Sequence, residues 1–438
     1  MKTSVIGRRA ATLLAAWMVC LAAGAQQYQP TEANLQARSE FRDQGFGIFL
    51  HWGIYSMLAT GEWTLNTKNL NYLEYAKLAK GFYPAEFDAA KWVSAIKAAG
   101  AKYICFTTRH HDGFSMWDTQ YSDYNIVKGT PFRRDIVKEL ADECHRQGIG
   151  LHLYYSHLDW GRLDYPLGRT GRGTGRPTDK QDWKSYYTFM NNQLTELLTK
   201  YGKVDAIWFD GMWDHKENPD FDWQQPGQYA LIHRLQPGCL IGNNHHSTPN
   251  PGEDFQIFEQ DLPGENTGGL SGQDISQLPL ESCVTMNGMW GYKITDQNYK
   301  SGRQLIQLLV RAAGKNANLL LNMGPEPNGN LPALALSRLA EMGAWLKTYG
   351  ATIYGCRGGL VAPHDWGVTT QKGNKLYVHI LSLKDKGLFI PTGNKTVVSA
   401  VDFITRRPVK TAKTASGVTL LLSEVPTDID KVIELEIK

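Results

Sequence analysis

The run "RHHDGF", residues 109–114, ends an apolar stretch with two imidazoles between Arg109 and Asp112. An imidazole both donates and accepts hydrogen bonds, so a pair of them suits a ligand rich in hydroxyls. Neighbouring side chains of an extended strand point to opposite faces. His110 and His111 therefore serve one site only if the backbone turns there, with Asp112-Gly113 completing the turn. Comparable residues follow other apolar runs: His51 and Trp52, Tyr155 and Ser156, Trp208 and Asp210, Asn243 to His246, Glu259, Glu281 and Asn322. Histidines give directional hydrogen bonds, aromatic faces pack a C–H surface, and carboxylates act as acid, base or nucleophile. That set fits a polyhydroxylated, partly apolar ring.

Such residues need a frame that gathers strand ends. Eight β-rich apolar runs recur, at 46–53, 102–111, 149–156, 204–211, 238–244, 254–260, 281–287 and 317–325. Between many of them lie segments of helical spacing such as "FDAAKWVSAIKAAG", "RRDIVKELADECHRQG" and "SGRQLIQLLVRAAG". Ser301 and Gln304 have capping-box spacing, and Gly100, Gly148 and Gly202 sit where helices should stop. Strands alternating with helices indicate a parallel sheet, and eight over this length indicate a closed (β/α)8 barrel of the TIM type. Weaker helices after the sixth and seventh strands predict irregularity there. In such barrels chemistry sits at the carboxyl ends of the strands, where all the residues above fall.

Beyond "PALALSRLAEMGAWLKTYG" helical spacing stops, and "KLYVHILSL", "KTVVSAVDFI", "GVTLLLSEV" and "KVIELEIK" read as short strands. The expected organisation is a leader over 1–25, a barrel over 26–351 and a C-terminal antiparallel β-sandwich over 352–438. Lys2, Arg8 and Arg9, an apolar core and Ala23-Gly24-Ala25 make the leader a secretory signal, predicting export to a periplasm or beyond. No later run is long enough to span a bilayer, so membrane insertion after signal removal is not expected. The net charge of +3 is dispersed over 438 residues, which gives no reason to expect nucleic acid. The glycine- and arginine-rich stretch 161–177 reads as an exposed loop. Cysteines 105, 144, 239, 283 and 356 are widely spaced and suggest no disulfide framework.

The stretches "FGIFLHWGIYS", "GEW", "RHHDGFSMWDTQYSDYN", "IWFDG" and "ESC" with "WGY" resemble, in order from about Phe41 to about Pro325, the α-L-fucosidases of glycoside hydrolase family 29. The resemblance implies a retaining exo-enzyme without metal or cofactor, acting on a fucosylated oligosaccharide or glycoconjugate. It makes Asp210 the nucleophile, where spacing alone equally allows an Asp-Gly turn. A retaining glycosidase needs a second carboxyl group roughly 5–5.5 Å away as acid/base. Glu253, Asp254, Glu259, Asp261, Glu265 and Glu281 are the candidates. The similarity of "GEDFQIFE" to the family's acid/base stretch favours Glu259 over Glu281. The same resemblance puts His51, Glu62, Trp63, His110, His111, Tyr155, Trp208 and Trp290 against the sugar. Many members read Asn-Asp-Arg after strand five, the arginine touching the sugar; here Asn243-Asn244-His245 stands instead, with His245 expected in that contact.

Two other functions use the same residues. A metal-dependent barrel hydrolase would draw on His110, His111, Asp112, His245 and His246, although no H-x-H or H-E-x-x-H pattern is present. A catalytically inactive barrel would bind glycans without turning them over.

Overall fold

The computed structural model describes residues 28–438; the leader expected over 1–25 lies outside them. Helix α1 (Glu32–Gln44), capped by Thr31, precedes the first strand. The eight expected strands form as β1 (Phe46–Leu50), β2 (Tyr103–Arg109), β3 (Gly150–Ser156), β4 (Ala206–Asp210), β5 (Leu240–Asn243), β6 (Gln256–Glu259), β7 (Leu280–Thr285) and β8 (Ala317–Met323). They make one parallel sheet in the order 5-4-3-2-1-8-7-6. A single bridge, Gly242 to Phe255, joins its two edges and closes the barrel. A Cβ on Gly242 would lie 2.3 Å from the Phe255 ring, so the seam closes only around glycine.

Two short helices, α2 (Thr64–Thr67) and α3 (Tyr72–Ala76), lie in the β1 loop. The outer ring follows as α4 (Ala89–Ala98), α5 (Ile136–Gln147), α6 (Trp183–Lys200), α7 (Gln225–Leu235), α8 (Gly302–Gly314) and α9 (Ala333–Tyr349). Asp88, Asp135 and Asp182 cap α4, α5 and α6 by accepting from backbone N–H groups three residues on. Ser301 and Gln304 form the expected reciprocal capping box on α8. The expected irregularity is displaced by one strand. The segment after β7 carries the well-capped α8, whereas the β5–β6 and β6–β7 connections carry no helix.

Alternation sorts the strand residues into two layers. Phe49, Tyr103, Cys105, Tyr154, Trp208, Phe255, Ile257, Cys283 and Leu320 fill the barrel interior. Ile48, Ile104, Leu153, Tyr155, Ile207 and Phe209 face the helices. Phe41 of α1 enters the interior cluster from the amino-terminal end. There Asn318 bridges the chain, its Nδ2 donating to Phe41 O and its Oδ1 accepting from Gly45 N. The five cysteines among the described residues are free and buried, and no helix there is long and apolar enough to cross a membrane.

After α9 come β9 (Arg357–Gly358), β10 (Gly367–Lys372), β11 (Lys375–Ile380), β12 (Gly387–Ile390), β13 (Val397–Asp402), β14 (Lys410–Thr414), β15 (Gly417–Leu421) and β16 (Lys431–Ile437). They pair antiparallel in a five-stranded and a three-stranded sheet. Val378, Ile380 and Leu435 of one meet Leu388, Ile390 and Leu420 of the other in a separate core. The four strands read in the sequence are β11, β13, β15 and β16. Polar sequences such as "KTAKT" and "GVTTQK" hid the others, because edge and interface strands lack the apolar alternation. The five-stranded sheet leans on α8, whose Gln307 Nε2 donates to Leu381 O and Ile429 O.

Candidate active site

At the carboxyl end of the barrel a cavity of about 190 Å³ gathers His51, Glu62, Trp63, His110, His111, Trp208, Asp210, Glu259 and Trp290. The turn needed at "RHHDGF" is present. A register shift between Thr107 and Arg109 ends the β2–β3 ladder, and Gly113 N donates to His110 O with Gly113 at φ +77°. Arg109 thereby faces outward to a buried ion pair with Asp159, and both imidazoles face the cavity with ring centres 4.1 Å apart.

Asp210 is held by donors on three sides. Its Oδ1 accepts from Gly211 N at 2.7 Å and Trp213 Nε1 at 2.8 Å, and its Oδ2 accepts from Tyr154 Oη at 2.9 Å. Gly211, at φ +96°, makes this possible: a Cβ there would meet Leu158 N at 2.9 Å. Burial first, and the Glu259 charge second, push the Asp210 carboxyl up to about 6.

Across the cavity, Asn244 Nδ2 lies 2.7 Å from Glu259 Oε2 and 3.5 Å from Asp210 Oδ1. One amide nitrogen thus spans both acids. His246 Nε2 contacts the same Glu259 oxygen at 2.8 Å, while Oε1 has no protein partner among the described residues. The other acidic candidates are engaged elsewhere. Glu281 lies a layer deeper, fully buried, accepting from Tyr103 Oη at 2.6 Å and Trp208 Nε1 at 2.9 Å. Burial pushes it up to about 7. Glu253 binds Tyr229 and His245, Asp254 binds Arg38, Asp261 binds Thr267, and Glu265 binds Lys315.

The imidazoles are neutral, because burial pushes His51 down to about 3 and holds His110 and His111 well below the ordinary range. The His51 tautomer follows from its partner: Asn322 Nδ2 donates to Trp290 O, so its Oδ1 accepts from His51 Nδ1–H at 2.6 Å and leaves Nε2 as an acceptor. His111 Nδ1 lies 2.7 Å from Ser156 Oγ, and its Nε2 faces Asp210 Oδ2 at 3.5 Å. The His110 ring makes no hydrogen bond among the described residues, with Nδ1 buried and unpartnered. Trp63 stacks on Trp213 at 5.5 Å, and Trp290 leans on His51 at 5.1 Å, giving two aromatic walls. Glu62, pushed up by burial, fixes the second wall by accepting from Gly291 N.

Two expected contacts fall outside the cavity. Tyr155 faces the helices and donates to Gln193 Oε1, because the alternation that turns Trp208 inward turns its neighbour Tyr154 inward and Tyr155 out. His245 turns to Glu253, and the next residue, His246, at φ +60°, takes the place at the cavity. Tyr154 and Trp213 are therefore contacts that the sequence does not single out, while Asn244 and His246, expected at the rim, take the place expected of His245. Strand register would have found Tyr154, whereas Trp213 and His246 depend on turns with no periodic signal. The stretch 161–177 is likewise more than an exposed loop. Tyr165, Gly168 and Thr174 are buried in it, and Arg169 reaches the cavity mouth. Of the residues a metal site would draw on, Asp112 is committed to Tyr75 and His245 to Glu253, and no group of three or more possible ligands converges among the described residues.

The family model Alpha-L-fucosidase matches residues 15–351. Human plasma alpha-L-fucosidase is 28% identical over 421 residues, covering 87% of this chain and 85% of that one. Alpha-L-fucosidase isoenzyme 1 from Paenibacillus thiaminolyticus superposes with a TM-score of 0.81 at 34% identity, covering 93% of this chain and 100% of that one. A Bacteroides thetaiotaomicron alpha-L-fucosidase, solved as a trapped covalent intermediate with 2-fluoro-fucosyl fluoride, superposes with a TM-score of 0.81 at 25% identity over 94% of this chain and 98% of that one. This chain is a glycoside hydrolase and belongs to the α-L-fucosidases of glycoside hydrolase family 29.

Proposed function

We propose that the protein is a retaining exo-α-L-fucosidase that removes terminal α-L-fucosyl residues from glycans through a fucosyl-enzyme, with Asp210 as nucleophile and Glu259 as acid/base. The observation that carries this reading is the Asn244 amide shared between the two carboxylates. Reaching 3.5 Å to one and 2.7 Å to the other, it limits those oxygens to about 6 Å apart, in keeping with a retaining pair at roughly 5–5.5 Å. In the first step Asp210 forms a bond to the anomeric carbon as the glycosidic C–O bond breaks, and Glu259 gives its proton to the departing oxygen. In the second, Glu259 takes a proton from water, whose oxygen attacks the same carbon and frees Asp210.

Donors already aimed at Asp210 favour its ionised form, and the free Glu259 Oε1 suits a group that gains and loses a proton. The neutral imidazoles accept from sugar hydroxyls, and the tryptophan walls pack the C–H face and the methyl group. The Glu281–Trp208 layer closes the floor, which supports exo action on one terminal ring. The match over 15–351 supports assigning catalysis to residues 26–351, with 352–438 a separate β domain. The covalent intermediate of the Bacteroides relative supports the two-step course.

Azide tests the roles directly. Asp210→Gly should give β-fucosyl azide from an aryl α-fucoside, by one displacement, whereas Glu259→Ala should give the α-azide, by two. The same anomer from both variants would overturn the assignment. The leader pattern supports export, and amino-terminal sequencing of secreted protein should begin near Gln26; a start at Met1 would contradict it.

A further inference from the structure

Among the described residues Arg169 is the one lining residue of the cavity with a permanent positive charge, and it stands exposed. Its guanidinium lies over the Trp213 ring, 5.3 Å from the centroid, and Trp213 in turn stacks on Trp63. Among the described residues the guanidinium makes no hydrogen bond and no ion pair. Its neighbours in the same stretch differ: Arg162 pairs with Asp164, Arg172 Nε donates to Gly168 O, and Arg176 donates to Tyr165 O.

The backbone beneath Arg169 is fixed by one buried carboxylate. Asp214 accepts from Gly168 N, Thr170 N, Thr170 Oγ1 and Tyr165 Oη, and its own carbonyl accepts from Arg169 N at 3.0 Å. A Cβ on Gly168 would lie 2.3 Å from Asp214 O, so glycine is needed for this approach. Asp214 lies one residue beyond Trp213, which donates to Asp210. The chain that orients the nucleophile thus also anchors the loop presenting Arg169.

We propose that Arg169 and Trp213 form a subsite beyond the fucose that reads an anionic group, a carboxylate or a sulfate, on the sugar of the leaving group. The inference rests on the fucosidase reading above. A guanidinium held over an aromatic face with its N–H groups unpartnered keeps them for a bidentate anion, and fucose itself carries no charge to occupy them. A leaving group must depart through the mouth of this cavity, whose lining includes Arg169 as well as Glu259.

The test compares kcat/KM for fucose release from three disaccharides: one with a neutral neighbouring sugar, one with a uronic acid there, and one with a sulfate ester there. Ratios are taken within each variant, so a general loss of activity cancels. In low salt the wild type should favour an anionic substrate by about three- to fivefold, the scale of one exposed charge pair. The ratio should fall to about one in R169A, drop below one in R169E, and be partly kept in R169K. In about 1 M salt, where screening acts over about 3 Å, the wild-type preference should shrink. Preference for the uronic acid alone or the sulfate alone names the source, and either supports the subsite. A wild-type ratio of one, or a ratio that survives R169A, overturns it, as does an equal loss on all three substrates, which would put Arg169 on the fucose ring. Release of no fucose from any of them would overturn the fucosidase reading and this one with it.

Discussion

On one side of the cavity Asp210 ends a strand paired over five residues with β3 and over four with β5. On the other, Glu259 ends a four-residue strand whose edge meets β5 through a single bridge, with no helix before or after it. Both side chains are about equally buried, at 12% and 14% exposure, so accessibility does not separate them. Attachment does. Asp210 is gripped through both oxygens by a backbone N–H, an indole and a phenol. Glu259 is held through one oxygen, by Asn244 and His246 of the β5–β6 connection. That side also carries left-handed non-glycine residues at His246 and Gln260, which cost of order 1–3 kcal/mol each and persist only where the surroundings hold them. The nucleophile role proposed for Asp210 calls for a carboxylate that stays ionised and aimed at one carbon, which suits the side gripped through both oxygens. The acid/base role proposed for Glu259 calls for exchange of a proton with a departing oxygen and then with water, which a half-bonded carboxyl permits.

Removing the rigid member should do the most damage. Asp210→Gly is expected to cut kcat by on the order of 10⁴-fold on any fucoside if Asp210 is the proposed nucleophile. Retained turnover of an aryl fucoside would break the comparison and take the nucleophile's role from Asp210, whereas a wild type that binds fucosides without turning them over would favour the inactive, glycan-binding barrel. Glu259→Ala should cost about 10²–10⁴-fold on a disaccharide, whose leaving oxygen needs a proton. It should cost far less in the first step with an activated aryl leaving group. Equal losses on the two substrates would mean that Glu259 does not protonate the leaving group.

The same contrast explains what the sequence disclosed. The barrel was legible because its strands are buried on both faces and its helices carry caps, as Ser301 and Gln304 show. His51, His110, Trp208 and Asp210 were legible because period-2 alternation and strand ends locate them. Tyr155 was misplaced by a single residue within that period. His245 and His246 lie in a turn where no period applies, and a left-handed residue decided which ring faces in. Arg169 was hidden because a glycine-rich stretch gives no sign that a distant carboxylate, Asp214, will organise it. Local pattern reaches as far as regular elements do, and loops closed by long-range hydrogen bonds lie beyond it.

Beneath the rigid wall, Glu281 should matter for stability more than for chemistry. It holds Trp208 and Tyr103 from the barrel interior, and Trp208 stacks on Tyr154, which donates to Asp210. Glu281→Ala would orphan a buried indole N–H and a phenol and leave a void, so urea unfolding should show a loss of about 2–4 kcal/mol. Glu281→Gln keeps an acceptor and should lose far less. The sign of its pH dependence follows from its raised carboxyl. Stability from this group is full below about 4.5 and is lost as pH rises through about 7, so the Gln variant should flatten that part of the profile. A slope unchanged by the substitution would show that other groups produce it.

The finest test concerns the charge that the two walls exchange. Burial and the Glu259 charge raise Asp210 to about 6, and the proposed reaction needs it ionised, so kcat/KM should fall as pH drops below about 6. Glu259→Gln removes the like charge and leaves the burial, so this acid limb should move down, by up to about one pH unit, when followed with an activated aryl fucoside. Stability should move in the opposite sense. A carboxyl raised in the folded state contributes stability that is full below about 3.8 and lost as pH rises through about 6. Asp210→Asn should therefore raise Tm by a few degrees at neutral pH, with the gain vanishing near pH 3. An acid limb that stays in place in Glu259→Gln would mean that burial alone sets the nucleophile and that the two walls do not feel each other's charge.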